Sequence, residues 1–113
     1  MVMIFLMPLS IDYKHPAISF IIPLFNHLEQ TRAMLSSLRA SLPAGISHEI
    51  ILVDDFSTDA TREWLQTLDI PNCKMLLNAE NVGYAATNNR AAQAATGGIL
   101  AFLNNDLLFE PGW

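Results

Sequence analysis

Short apolar runs alternate with helical patterns along this chain, and each run ends at a polar corner. Ile18 to Phe25 (ISFIIPLF) is a near-continuous apolar stretch, rich in β-branched and aromatic residues, bounded by Pro16 and Asn26. Such a run predicts a strand buried on both faces. Leu28, Met34, Leu35, Leu38 and Leu42 then recur at mostly helical spacing until Pro43 and Gly45 end the pattern. A second run, Glu49 to Val53, leads into the acidic pair Asp54 and Asp55. Ser57, Thr58 and Asp59 are each suitable N-caps for a helix carrying Trp64, Leu65 and Leu68. Pro71 and Asn72 turn the chain into a third strand, Lys74 to Leu77. An Ala-rich helix over Tyr84 to Ala95 follows, closed by Gly97 and Gly98, and the fourth run is Ile99 to Leu103. This β-α-β-α-β-α-β order specifies an α/β fold with right-handed crossovers and a mainly parallel sheet flanked by helices.

Functional sites in such sheets lie beyond the carboxyl ends of the strands, so the polar corners carry the argument. They read Pro23-Leu24-Phe25-Asn26, then Asp54-Asp55-Phe56-Ser57-Thr58-Asp59, then Asn78-Ala79-Glu80-Asn81-Val82-Gly83-Tyr84, then Asn104-Asn105-Asp106. The first corner lacks the GxGxxG that lets a dinucleotide approach the backbone, and no GxxxxGK[ST] occurs, which excludes dinucleotide-dehydrogenase and P-loop readings. A phosphoacceptor receiver would need a lone Asp after the third strand and a Lys after a fifth, and neither is present. An aspartate pair at a strand end can accept hydrogen bonds from a base or ribose. A carboxylate at a neighbouring strand end can hold Mg²⁺ or Mn²⁺, which bridge to phosphate oxygens. The pattern suits a nucleoside diphosphate, with base and ribose at the second corner and metal and diphosphate at the fourth. Each corner has a plainer alternative: Asp59 as a helix cap, Asp54 or Asp55 as a turn cap, Asn78 and Asn81 as turn residues.

Charge and size narrow the field further. The chain has 113 residues, 51% hydrophobic, with six Lys plus Arg against eleven Asp plus Glu, a net charge of −5. No basic run exists to contact phosphate backbones, which argues against nucleic acid as a partner. The single cysteine, Cys73, makes no intrachain disulfide and no zinc spacing, as expected in a reducing compartment or in a fold indifferent to redox. Met1 to Leu9 is apolar but lacks a basic n-region and falls far short of the roughly 18 apolar residues of a membrane span. We therefore expect residues 1–16 to be an N-terminal extension, packed on the domain or loose, and residues 17–113 to be the domain. The expected location is the cytoplasm, with peripheral work at the inner membrane face. His15, His27 and His48 are scattered without HExxH or triad context, and of the three only His27 borders a corner. Trp64 and the leucine stripe read as core, the five methionines as gap fillers, and Tyr84 as either sheet packing or a donor contact.

The segments IIPLFN, EIILVDDFSTD, LLNAENVGYAATNNRAAQAATG and ILAFLNNDLLFEPGW resemble, in order, the nucleotide-binding half of glycosyltransferase family 2, inverting GT-A enzymes. The resemblance covers Ile18 to Trp113. It implies a Rossmann-like GT-A sheet of order 3-2-1-4 that binds a nucleotide-diphospho-sugar, a UDP- or dTDP-sugar, for glycosyl transfer to a polysaccharide, lipid or protein acceptor near the membrane. The nucleotide residues it implies are Pro23, Phe25, Asn26, Asp54, Asp55, Ser57, Asn81, Gly83 and Asn105. The family's DxD-type motif reads Asn104-Asn105-Asp106 here, as in rhamnosyltransferase-like members, and leaves Asp106 as the ligand for Mg or Mn. Family members carry an acceptor-binding half after this motif, including the general base, and no residue up to Trp113 matches that base. The expectation is a donor-binding half that does not turn over alone; the alternative is a non-catalytic nucleotide-binding or interaction module. With the fourth strand at a sheet edge beside the apolar tail Leu107, Leu108, Phe109 and Trp113, a homo-oligomer through that exposed edge or through the apolar N-terminal segment is also expected.

Overall fold

Ile18–Leu24 forms the central strand, β2, because its apolar side chains are buried on both faces. The computed structural model describes residues 2–6 and 16–112. In chain order the elements are β1 (Val2–Leu6), β2, α1 (Leu28–Ser41), β3 (His48–Asp54), α2 (Thr61–Thr67), β4 (Cys73–Leu77), α3 (Tyr84–Ala94) and β5 (Ile99–Leu103). The five strands make one sheet of order β1-β5-β2-β3-β4, parallel throughout except for β1. Its four parallel strands keep the expected order 3-2-1-4. No helix among the described residues is long and apolar enough to cross a membrane.

Alternate strand residues build two core layers. Phe20, Ile22, Leu24, Ile50 and Leu52 pack with Met34, Leu35 and Leu38 of α1 and Leu65 of α2. On the other face Ile21, Ile51, Val53 and Leu100 meet Ala91 of α3, with Ala92, Ala94 and Ala95 alongside. The small side chains of α3 let that helix lie close to the sheet.

Two expectations are corrected. The fourth strand, β5, is not an open edge, because β1 pairs with it antiparallel in the register Val2↔Leu103 to Leu6↔Ile99. Its unpaired backbone groups take up the apolar N-terminal run, and the sheet edge moves out to β1. The apolar tail is not uniformly exposed either: Leu107 and Phe109 pack on the α1-side core, Phe109 N donates to Ser37 Oγ at 3.0 Å, and Leu108 stays exposed. Trp113 lies outside the described residues.

At the amino end of the sheet, Glu49 ties three elements together. Its buried Oε2 accepts from Ser19 Oγ at 3.0 Å, from Thr96 N at 2.9 Å and from Thr96 Oγ1. Lys74 Nζ forms an ion pair with Oε1 at 2.9 Å. This network anchors the turn from α3 into β5 and leaves the carboxyl end free for the corners.

Candidate functional site

The chain leaves β2 for β3 and then β4 on one side, and crosses to β5 on the other. The switch point of the sheet therefore falls between the carboxyl ends of β2 and β5, where open α/β sheets bind ligands. Pro23 sits at that gap. Leu24 O accepts from Asp55 N and so faces β3, which turns Pro23, with its missing N–H, toward β5. The β2–β5 ladder stops at Ile21↔Phe102, whereas the β2–β3 ladder runs on to Leu24↔Asp54. The buried Pro23 thus shapes the crevice through its backbone.

The first and second corners are laced by Asn26. Asn26 and His27 both adopt left-handed backbone, with φ 57 and 59, and swing the chain from β2 into α1. Asn26 Oδ1 accepts from Thr58 N at 2.7 Å and Asp59 N at 3.2 Å, and Asn26 N donates to Ser57 Oγ at 2.8 Å. Asp59 reaches the first residue of two helices: its Oδ1 accepts from Thr61 N at 2.9 Å and its Oδ2 from Leu28 N at 3.3 Å. Burial works to raise the Asp59 pKa, but the bonds from Thr61 and Leu28 outweigh it and hold the carboxyl below its ordinary value.

The aspartate pair turns out to be engaged within the fold. Asp54 is fully buried; its carboxylate accepts from Ser57 N at 3.0 Å, from Ser57 Oγ, and from Arg62 Nη1 at 2.8 Å. Arg62 Nη1 also donates to Asn78 O at 3.0 Å, so α2 bridges the second and third corners. Asp55 is 5% exposed, and it accepts from Val82 N at 2.8 Å, Gly83 N at 2.9 Å and Asn78 Nδ2 at 3.0 Å. It thereby fills the start of α3, where free backbone N–H groups would otherwise attract a phosphate. Burial alone would raise its pKa; the bonds from Val82, Asn78, Gly83 and Thr87 together hold it below the ordinary value. Asn81 Nδ2 donates to Asp55 O at 3.1 Å, and Gly83 has a φ of 93 that only glycine adopts freely.

The fourth corner is different in kind. Asn104 Oδ1 accepts from Tyr84 OH at 3.2 Å, and Asn105 Nδ2 donates to Thr31 Oγ1 at 3.1 Å, which fixes the loop to α3 and α1. Asp106 follows, exposed, and its carboxylate has no hydrogen-bond or ion-pair partner among the described residues. Among those residues no three His, Cys, Asp or Glu side chains cluster as a protein-only metal cage. One free carboxylate suits Mg²⁺ or Mn²⁺, which are commonly bound through one or two carboxylates and substrate phosphates.

The expected residues therefore separate. Asn26, Ser57, Asp54 and Asp55 organise the corners, Asn81 and Gly83 are locked to Asp55, Pro23 shapes the crevice, and Phe25 and Asp106 stand exposed. Sequence reasoning missed Arg62, whose position at the start of α2, eight residues after Asp54, was the available signal.

The sequence profile of "Glycosyl transferase family 2" matches residues 19–113. The chain belongs to this family. Glycosyltransferase AglE of Haloferax volcanii is 29% identical over 100 residues, covering 87% of this chain and 33% of that protein. The mannosyltransferase PcManGT from Pyrobaculum calidifontis, solved with GDP-Man and Mn²⁺, superposes with a TM-score of 0.73 at 26% identity, covering 84% of this chain and 29% of that one. TarS of S. aureus, solved with UDP-GlcNAc, gives a TM-score of 0.70 at 27% identity, covering 79% and 26%. The family 2 chain spans about a third of the length of the curated relatives it matches first. These likenesses agree with the GT-A, Rossmann-like α/β architecture, to which β1 adds one antiparallel strand.

Proposed function

We propose that this domain binds the nucleotide-diphospho-sugar donor of a glycosyl transfer, with the diphosphate at the β2–β5 crevice and the nucleoside toward the first and second corners. The observation that carries the reading is Asp106, the one corner aspartate without a partner among the described residues, while Asp54, Asp55 and Asp59 are all bonded within the fold. A divalent Mg²⁺ or Mn²⁺ would be held by Asp106, and when bound it supplies positive charge to the departing diphosphate. The chain's own part is orientation. Asn26, Asp59 and Asn105 fix the two loops that flank the crevice, and Pro23 keeps it open. In the transfer, the bond from the sugar's anomeric carbon to the diphosphate breaks with its electron pair going to the diphosphate. The acceptor oxygen takes that carbon and loses its proton to a base, and attack from the opposite face gives inversion. A UDP- or dTDP-sugar is the donor in this reading, and a membrane-proximal polysaccharide, lipid or protein the acceptor.

Calorimetric titration of UDP and dTDP with and without Mn²⁺ tests the donor site. We expect Mn²⁺-dependent binding, and Asp106→Asn to abolish the metal dependence while leaving the fold intact. Equal affinity in EDTA, or an Asp106→Asn protein that keeps the full Mn²⁺ effect, refutes the metal role.

A further inference from the structure

On the helical side of the sheet that carries α1 and α2, an open groove of about 470 Å³ runs between the two. Arg32, Leu35 and Arg39 line it from α1, Trp64 from α2, and Leu68 and Ile70 from the turn that follows. Leu35 is buried, while Trp64, Leu68 and Ile70 pack on the core and keep part of their surface outside it. None of the corner residues lines this groove, so it is separate from the β2–β5 crevice.

Charge sets the groove apart. The described residues include five Lys and Arg side chains, on a chain of net charge −5. Three of them are bonded within the fold: Arg62 to Asp54, Lys74 to Glu49 and Arg90 to Asn78. The other two, Arg32 and Arg39, both line the groove, and no carboxylate among the described residues lines it. Arg39 has no hydrogen-bond or ion-pair partner among those residues. Arg32 meets Glu29 at 3.7 Å, an exposed i,i+3 pair of the kind that contributes little. A cation in the last turn of α1 suits the helix dipole, which accounts for Arg39 at that position but not for Arg32 on the same wall. Seven residues make nearly two helical turns, so the two positions share one stripe of α1, about 10.5 Å apart along its axis.

We propose that the α1–α2 groove docks an amphipathic helix of a partner protein, with carboxylates seven positions apart on Arg32 and Arg39 and an apolar stripe between them on Trp64 and Leu68. A helix laid along α1 repeats the same axial spacing, so its acidic positions fall opposite both guanidinium groups. The ion pairs set register and partner choice, and the apolar contact holds the complex. A bilayer surface is flat and would leave the apolar floor of a groove uncovered. This inference does not depend on the donor-binding reading.

The test titrates a helix-stabilised peptide, with Glu at positions i and i+7 and Leu at i+3 and i+4, into the isotope-labelled full chain. The Trp64 indole N–H and the α1 amides report binding, and a peptide with Lys in place of Glu is the control. The acidic peptide should shift these signals saturably, less strongly as salt is added, and the basic one should not. The double variant Arg32→Glu, Arg39→Glu should lose about tenfold or more for the acidic peptide and gain the basic one. Ala40→Trp fills the groove without changing charge and should weaken the acidic peptide as well. Arg32, Arg39 and Ala40 are all exposed, and the melting temperature of each variant checks its fold. No shift with the acidic peptide at millimolar concentration overturns the proposal, as does equal affinity for the two peptides. Unchanged binding by the folded double variant overturns it too. Unchanged binding by Ala40→Trp shows a general attraction of charge and not a docked helix. Phosphatidylserine vesicles that bind the chain through Arg32 and Arg39, with no response to the peptide, assign the two cations to a membrane and overturn the helix.

Discussion

Asp55→Ala removes the acceptor on which the third corner is built. In the folded chain the Asp55 carboxylate takes two backbone N–H groups, from Val82 and Gly83, and the side-chain amide of Asn78, all at 2.8 to 3.0 Å and nearly buried. Hydrogen bonds to a charged group contribute about 1.5–3 kcal/mol each, and the losses do not simply add because the loop can relax toward water. We expect Asp55→Ala to lose about 3–5 kcal/mol, a large part of the roughly 5–15 kcal/mol that holds a domain folded. Asp55→Asn keeps the shape but sets an N–H₂ group against one of the donors. With the amide oxygen toward Val82 and Asn78, its nitrogen faces Gly83 N, and the expected cost is about 2–3 kcal/mol. Urea unfolding at neutral pH gives the totals, and amide hydrogen exchange at Val82 and Gly83 localises them. The pH dependence has a definite sign. Asp55 is held below its ordinary pKa in the fold, so its stabilisation is present above the unfolded value of about 4 and is lost as pH falls through the lower folded value. Glu49 and Asp59 are lowered too, so the three share the acid limb, and Asp55→Asn should make that limb shallower. A loss below about 1 kcal/mol for Asp55→Ala, with amide protection at Val82 and Gly83 unchanged, would show that the corner does not depend on this carboxylate.

Two further outcomes follow from packing. A Cβ at Gly97 would stand 2.6 Å from Ser19 Oγ, 2.7 Å from Ser19 N and 2.9 Å from Ile18 C, so Gly97→Ala should cost about 2–3 kcal/mol by forcing β2 and the α3–β5 turn apart; a melting temperature equal to that of the unaltered chain refutes the close contact. Burial pushes the Cys73 thiol up to about 11, so at pH 8 its labelling by a disulfide reagent should be on the order of 10²-fold slower in the folded chain than in urea; equal rates would place the thiol in free contact with solvent.

The runs Ile18–Leu24 and Glu49–Val53 announce buried parallel strands by composition alone, because a strand covered on both faces has no polar face to display. The helices are legible for a related reason: periodicity and stop signals such as Pro43 are properties of neighbouring residues, as is the placement of Asp106 at a strand end. Which group satisfies which is not local. Asp54, Asp55, Asp59 and Asp106 look alike along the chain, and only the tertiary structure separates them, by bringing Arg62, Val82, Gly83 and Leu28 to the first three and, among the described residues, no partner to the last. The N-terminal run could be read as apolar but not as the partner of β5, since that pairing joins residues about 100 positions apart and its register depends on an edge left open by everything between. Pro23 likewise reads as a blemish in an apolar strand until the ladder shows its missing N–H turned to the side where β5 has already departed. Sequence thus determined the four parallel strands, the three helices and the edge where chemistry belongs, because these follow from short-range patterning. The fold alone decided which corner aspartates are bonded within the structure and which has no partner among the described residues, because hydrogen-bond partners are allotted only after distant segments meet.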